Sequence, residues 1–223
     1  MKLSESTINV LKNFATINAG MQFKEGSVVR TISKGQNVLG KATVTENFEK
    51  DFVIYDLNRF LSLCSSLTDP EIVINTDANN LTVKSGTSKT TYGLADESMI
   101  VAPPAKELKI ENSEVNFRLT KDDMNQVLKL SGILGLPNIA VVGDGNEISI
   151  SALDVKNADS DNFSIKVGET ASNFKLIFNT ENLKMIPGTY DVAISSKGIS
   201  HFKHATDSVE YWIATEAGSK YEG

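Results

Sequence analysis

The stretch Phe52–Leu63, FVIYDLNRFLSL, joins a short strand to a helix with almost nothing between them. The letters FVIY are β-branched, aromatic and apolar residues, which predict a strand. Asp56 is a favourable N-cap, and Asp69-Pro70 predicts where the helix ends. The apolar positions between these two points recur at the period of an amphipathic helix: Leu57, Phe60, Leu61, Cys64 and Leu67.

A hairpin follows this helix. The segments EIVIN (71–75) and LTVKS (81–85) have the composition of strands, and TDANN (76–80) between them has the composition of a turn. The second quarter of the chain is therefore predicted to be a strand, a helix and a hairpin in that order.

The same order recurs along the chain. Strand-like segments near residues 2, 52, 117 and 174 each precede a capped helical segment and a hairpin, and the fourth helix is predicted over ENLKMI (181–186). The predicted N-caps are Ser4 or Ser6, Asp56, Thr120, and Asn179 or Thr180. Four such units predict an antiparallel α+β protein whose helices all lie on one side of the sheets.

The segment between the second and third units has no sustained period and contains Pro103 and Pro104, so it is predicted to be a linker. The predicted organisation is an N-terminal domain over 1–98, a connecting linker over 99–115 and a C-terminal domain over 116–223. Each domain then holds two of the four units.

Composition restricts the functional classes. The chain has 223 residues, a formal net charge of −6 and a single cysteine, Cys64, which is typical of an acidic protein in a reducing compartment. The first residues lack the apolar core of a signal peptide, and no run approaches the ~20 apolar residues of a membrane span. We therefore expect a cytoplasmic protein with no membrane partner.

The sequence offers little for catalysis. The two histidines, His201 and His204, are three residues apart in a predicted strand, which places them on opposite faces. The chain contains neither G-x-S-x-G nor H-E-x-x-H. We predict no catalytic residue, no metal site and no cofactor.

The outward faces of the predicted helices combine small neutral polar residues with about one cation each. This pattern is typical of an ordinary solvated face, and it is also compatible with a weak polyanion surface that does not read sequence. The cations concerned are Lys12, Arg59, Lys129 and Lys184, with Lys121 at the start of the third helix.

Several segments identify a resemblance. LKNFATIN (11–18), IYDLN (54–58), IVAP (100–103) and KMIPGTY (184–190) resemble, in order, the replication sliding clamp of T-even-like bacteriophages. The resemblance implies a DNA-clamp fold with two similar domains, each of two βαβββ units. It further implies a homotrimeric ring, with antiparallel sheets outside and helices lining a central hole for duplex DNA.

The resemblance also implies a function. Such a clamp tethers the replicative DNA polymerase, is loaded by an ATP-driven clamp loader, activates late viral transcription through late transcription factors, and does no covalent chemistry. Lys12, Arg59, Lys121, Lys129 and Lys184 would face the DNA. An acidic chain suits this role, because a topological link does not need tight binding and a strong positive field would oppose sliding.

Two further sites follow from the resemblance. Ile100, Val101 and Pro103 are expected beside a pocket that takes a short hydrophobic peptide of a partner, and Tyr92 is expected near the contact between subunits. The alternative interpretation is a non-enzymatic virion structural or assembly ring protein, which would share the repeats and the oligomer.

Overall fold

The computed structural model describes residues 1–223, apart from the side chain of Thr76. The chain divides into two compact units, Met1–Lys106 and Glu107–Gly223. This division falls inside the predicted linker, and the domain boundaries at 98 and 116 remain predictions.

The first unit has two helices and two antiparallel sheets within the described residues. One sheet has the strand order β4-β1-β2-β3 and the other the order β5-β6-β7. The elements are α1 (Glu5–Ile17), β1 (Met21–Phe23), β2 (Gly26–Ile32), β3 (Val38–Phe48), β4 (Phe52–Ile54), α2 (Leu57–Ser65), β5 (Glu71–Asn75), β6 (Asn80–Ser85) and β7 (Ser88–Gly93).

The second unit has one helix and two antiparallel sheets. The strand that opens it, β8, ends a sheet of order β15-β14-β13-β8, and the other sheet has the order β11-β10-β9-β12-β16. The elements are β8 (Val115–Leu119), α3 (Lys121–Leu134), β9 (Asn138–Asp144), β10 (Glu147–Leu153), β11 (Phe163–Glu169), β12 (Asn173–Asn179), β13 (Tyr190–Ser195), β14 (Ile199–His204), β15 (Val209–Ala214) and β16 (Lys220–Tyr221).

The strand that opens a repeat pairs with the sheet of the other repeat in its unit. β4 opens the second repeat and pairs with β1 of the first, while β8 pairs with β13 and β12 pairs with β9. The N-terminal strand predicted near residue 2 does not form, although Met1 and Ile72 exchange two backbone hydrogen bonds of 2.7 Å. This exchange of strands interlocks the repeats within each unit.

The predicted caps start all three helices. The side chains of Ser4, Asp56 and Thr120 accept hydrogen bonds from the backbone N–H groups of Thr7, Arg59 and Asp123, at 3.2, 3.0 and 3.1 Å. Helix α3 ends at Gly135, whose φ of 65° is a left-handed conformation that glycine adopts without strain.

The apolar faces are those that the sequence pattern predicts. Leu57, Phe60, Leu61 and Cys64 of α2 are buried, which confirms the predicted stripe. Leu67 lies two residues beyond the end of α2 and is only half-buried, because the helix ends at Ser65.

The helix predicted over 181–186 is wrong. A single 3₁₀ turn, Thr180–Asn182, follows the cap Asn179, and the chain then runs irregularly to β13. The segment offers too few residues before Pro187 to nucleate a helix. Leu183 and Met185 are both buried, and this spacing of two residues suits extended backbone rather than a helix.

Candidate nucleic-acid interface and partner pocket

The predicted cations of the first unit lie on the solvent sides of their helices. Lys12 is exposed on α1, whose opposite face buries Leu11 and Phe14. Arg59 is exposed on α2, one turn after the cap Asp56. Each of the two helices therefore presents one cation to solvent, and α1 also exposes Glu5 in its first turn.

Helix α3 presents two cations. Lys129 is exposed, and the residues that face the core are Met124, Val127 and Ser131. Lys121 is exposed in the first turn, where its backbone N–H donates to the Thr189 hydroxyl at 3.2 Å. The four cations Lys12, Arg59, Lys121 and Lys129 are thus on helices and accessible to solvent.

Lys184 differs from these four residues. It follows the 3₁₀ turn rather than lying on a helix, so its prediction as a residue of an inner helix is corrected. Its ammonium group lies 2.5 Å from Glu181 Oε2, an ion pair that offsets part of its charge. A phosphate would have to compete with this carboxylate.

A pocket of about 530 Å³ lies beside the start of the linker, entirely within the first unit. Ile100 and Val101 line it and are half-buried, whereas Pro103 is not part of its lining. The remaining lining residues are Asn18, Ala19, Gly20, Lys34, Tyr55, Asp56, Asn58, Ser98 and Met99. The lining combines apolar and polar residues, a composition typical of peptide and ligand sites.

Three side chains hold residues 97–104 against the first unit. Gln22 donates to Glu97 at 2.6 Å, the Asn18 amide donates to the Val101 carbonyl at 3.2 Å, and the Arg30 guanidinium donates to the Pro104 carbonyl at 2.8 Å. These bonds hold the beginning of the linker on the surface of the first unit. The linker residues that line the pocket are therefore held in place.

Sequence reasoning missed part of this pocket. Tyr55 and Met99 are 59% and 57% exposed, and both line the pocket, so they form a small exposed apolar patch there. Asn18 and Gly20 belong to the turn after α1, and their composition indicates only a helix end. No spacing in the sequence relates Gly20 to Ile100, because folding alone brings them together.

Tyr92 joins two elements of its own unit. Its ring packs edge-on against Phe60 of α2 with centroids 5.4 Å apart, and its hydroxyl donates to the Asp56 carbonyl at 2.9 Å. Burial raises the pKa of this phenol above its ordinary value. Its expected place near a subunit contact stays a prediction.

The histidines lie on opposite faces of β14, as their spacing predicts. His201 stacks on Trp212 with ring centroids 4.6 Å apart, whereas His204 is buried against Tyr190. Among the residues that the structure describes, no three His, Cys, Asp or Glu side chains are grouped to hold a metal ion. Cys64 is buried, and burial raises its thiol pKa to about 11.

Family models match both halves of the chain. Residues 2–102 match the family described as DNA polymerase processivity factor, and residues 116–217 match the family described as gp45 sliding clamp, C terminal.

The chain belongs to the phage sliding-clamp family.

Curated relatives agree with this assignment over the full length. This sliding clamp is 36% identical to the sliding clamp of Vibrio phage KVP40 over 97% of the chain and 100% of that relative. It is 32% identical to the sliding clamp of Escherichia phage RB69 and 30% identical to that of Enterobacteria phage T4, each over 100% of both chains. The predicted resemblance is confirmed, and the matches favour a clamp over a virion ring protein.

Solved structures show the same fold at low sequence identity. A. fulgidus PCNA, solved with the C-terminal region of FEN-1 bound, matches with a TM-score of 0.69 and 15% identity over 98% of both chains. The PCNA of Entamoeba histolytica matches with a TM-score of 0.68 and 15% identity over 94% of both chains. The predicted DNA-clamp fold is confirmed. No helix within the described part of this clamp has the length and apolar character needed to span a bilayer.

Proposed function

We propose that three copies of this sliding clamp close into a ring around duplex DNA and tether the replicative DNA polymerase during processive synthesis. The observation that carries the proposal is the full-length match to sliding clamps and to a polymerase processivity family. The ring holds DNA by topology and performs no covalent chemistry. An ATP-driven clamp loader places it on DNA in the host cytoplasm, and late transcription factors use it as a mobile activator.

The exposed helical cations support a DNA-facing surface. Lys12, Arg59, Lys121 and Lys129 are accessible, and each can meet a phosphate through solvent. Single encounters of this kind are weak, on the order of the 0–1 kcal/mol found for exposed ion pairs. Weak, repeated contacts suit a protein that must slide, because no single position on DNA is then a trap. Lys184 contributes less because of its ion pair with Glu181.

The test reverses two of these charges. Lys12→Glu combined with Lys129→Glu should keep the fold and the trimer but lower processive synthesis on a primed circular template in the presence of loader and ATP. Each substitution enters the ring three times, and the new carboxylates repel the phosphates. The defect should be largest at low salt and smaller at high salt, because counter-ions screen repulsion.

A matched control changes the same charge elsewhere. Lys84 on β6 and Lys203 on β14 are exposed strand residues, one in each unit. Lys84→Glu combined with Lys203→Glu should leave processivity close to wild type. If the control pair causes the larger defect, the helices do not face the DNA.

The pocket beside the linker supports a second part of the proposal: the polymerase, the loader and the late transcription factors dock here through a short apolar segment. The half-buried side chains of Ile100 and Val101 supply the apolar wall, and Tyr55 and Met99 the exposed apolar surface. The bound FEN-1 region in the PCNA structure supports peptide docking on this fold.

Ile100→Asp tests the pocket. A carboxylate beside the apolar residues of the pocket should lower the affinity for the cognate polymerase by about fivefold or more, since an unpaired polar group buried under a partner costs about 1–3 kcal/mol. The trimer should persist. Wild-type affinity in this variant would show that partners dock elsewhere.

The homotrimer is supported by two strand edges. β7 ends the sheet of β5, β6 and β7, and β11 ends the sheet of β9, β10, β11, β12 and β16. Edge strands carry unpaired backbone groups that readily pair with another chain. Pairing β7 of one copy with β11 of the next is a head-to-tail contact, which generates a ring when the rotation closes.

A further inference from the structure

One wall of the pocket is a three-residue turn, Asn18–Gly20, between α1 and β1. Asn18 is only 6% exposed, yet its side chain makes three hydrogen bonds. The amide donates to the Ile32 carbonyl at 2.9 Å and the Val101 carbonyl at 3.2 Å, and the side-chain oxygen accepts from the Gly20 N–H at 3.0 Å. One buried amide thus ties the end of β2 to the beginning of the linker.

Gly20 is required for space rather than for an unusual backbone conformation. A Cβ atom built on Gly20 would lie 2.5 Å from Ile100 Cγ2 and 3.1 Å from Ile100 Cβ. Its φ is not in the left-handed region. The Ile100 side chain is therefore seated directly on the backbone of Gly20, and any side chain at position 20 would push it outward.

The same turn also supports the start of α2. The Ala19 carbonyl accepts from the Leu57 N–H, the first residue of that helix, at 2.8 Å. Tyr55 and Asn58, which line the pocket, flank this helix start. The turn Asn18–Gly20 therefore contacts both the beginning of the linker and the start of α2, and it positions the pocket residues on each of them.

We propose that Asn18 and Gly20 are positioning residues of the partner pocket. Asn18 fixes the position of the linker backbone at Val101 through its hydrogen bond. Gly20 lets the Ile100 side chain pack directly against the backbone of the turn. Together they determine how much room the pocket leaves for an apolar side chain of the partner. This inference rests on the proposed docking of partners in the pocket, and it assigns residues that need not touch the partner.

The contact between Gly20 and Ile100 Cγ2 predicts a specific coupling. Gly20→Ala should displace the branched Ile100 side chain or force it from its rotamer, which costs enough to lower polymerase affinity on the order of tenfold. Leucine has no Cγ2, so Ile100→Leu removes the closest contact of the new methyl group, at 2.5 Å, and leaves the contact with Cβ at 3.1 Å. In the Ile100→Leu background, Gly20→Ala should change affinity by less than about twofold.

The experiment measures the affinity of the trimeric clamp for the cognate replicative polymerase without DNA. It compares wild type, Gly20→Ala, Ile100→Leu and the double variant, with Gly132→Ala as the matched glycine control. Nothing lies within 4 Å of a Cβ built on Gly132, so this control adds a methyl group without a collision. Sedimentation verifies the trimer in every variant.

Asn18→Asp provides an independent readout. The carboxylate keeps the acceptor for the Gly20 N–H but has no donor for the Ile32 and Val101 carbonyls. The beginning of the linker should loosen. The Met99 and Ile100 amides, now bonded to the Asp96 and Glu97 carbonyls, should exchange hydrogen for deuterium several-fold faster while the amides of β6 stay protected. Polymerase affinity should fall in parallel.

The possible outcomes separate the two proposals. Loss of affinity in Gly20→Ala that disappears in the Ile100→Leu background supports the positioning role. Unchanged affinity in Gly20→Ala, together with loss in Ile100→Asp, overturns the positioning role but keeps the pocket. Unchanged affinity in Ile100→Asp overturns both. Equal losses from Gly20→Ala in both backgrounds show a general structural effect and also overturn the inference.

Discussion

At the scale of single residues, the backbone of Gly188 lies directly against the buried side chain of His204. The imidazole of His204 is buried, its Nδ1 accepts from the Asp207 N–H at 2.9 Å, and its ring meets Tyr190 edge-on at 5.0 Å. A Cβ atom on Gly188 would lie 1.8 Å from His204 Nε2. The glycine in the segment KMIPGTY is thus explained by a buried ring.

Gly188→Ala should destabilise the protein by about 1–3 kcal/mol or more, because a packed and hydrogen-bonded ring must move. Gly132→Ala should instead stabilise it by up to about 1 kcal/mol, since Gly132 is exposed within α3 and alanine is the better helix former. Urea unfolding at one fixed protein concentration measures both midpoints. A neutral Gly188→Ala would contradict the packing around His204.

At the scale of elements, a carboxylate from β3 helps to start α1. Glu46 accepts hydrogen bonds from the Ser4 N–H and the Thr7 hydroxyl, and Thr45 donates to it at 3.1 Å. A negative charge at this point also interacts favourably with the positive end of the helix dipole. The start of α1 is therefore stabilised by a residue that is distant in sequence, on β3.

Partial burial raises the pKa of Glu46, but the hydrogen bonds from Thr7 and Ser4 outweigh it and lower the pKa below its ordinary value of 4.5. A lowered pKa contributes stability that is fully present above pH 4.5 and is lost as the pH falls through the pKa of the folded state. Glu46→Gln should cost about 0.5–1 kcal/mol at pH 7, in line with exposed caps and dipole charges.

Urea unfolding of wild type and Glu46→Gln at pH 7 and at pH 3.5 checks this prediction. The difference between the two proteins should shrink at the lower pH, because pH 3.5 lies below the ordinary pKa of 4.5, so the unfolded wild-type chain binds a proton that the folded carboxylate resists. A difference that stays constant with pH would mean that the charge of Glu46 does not stabilise α1.

At the scale of the whole molecule, the proposed function requires three copies to assemble into the proposed ring. Sedimentation equilibrium near neutral pH should give a mass of three chains at tens of micromolar and dissociation on dilution, since head-to-tail contacts between sheet edges are small. The Lys12→Glu, Lys129→Glu variant should give the same mass. Only monomer across this concentration range would refute the ring.

In the proposed ring, an acidic chain can still hold DNA. The formal net charge is −6 per chain, but only the few helical cations would meet phosphate. The closed ring would retain DNA by encircling it rather than by binding it tightly. The proposed charge-reversal test is informative for this reason, since it changes the local field without removing the topological link.

Local chemistry made the three helices predictable. The side chains of Ser4, Asp56 and Thr120 each accept a hydrogen bond from the backbone N–H three residues ahead. The buried face of α2 follows from the helical spacing of its apolar residues. Such signals lie within one or two turns of chain, so the sequence shows them directly. The linker over 99–115 was predicted from the same kind of local signal, its prolines and its lack of period, and it stays a prediction.

The fourth repeat shows where local signals fail. Asn179 caps a turn as predicted, but burial of both Leu183 and Met185 requires an extended path, and tertiary packing overrides the weak helical preference of a short segment. The consequence reaches the site, because Lys184 loses its place on a helix and pairs with Glu181.

The sequence by itself determined the repeat count, the caps, the apolar faces and the family, because these depend on residue types at short spacing. Only the tertiary structure decided the pocket. Asn18 and Val101 are 83 positions apart, and Gly20 meets Ile100 through a contact that no periodicity encodes. The physical reason is that a helix face is a local property, whereas a pocket exists only where strands and turns distant in the chain close on one another.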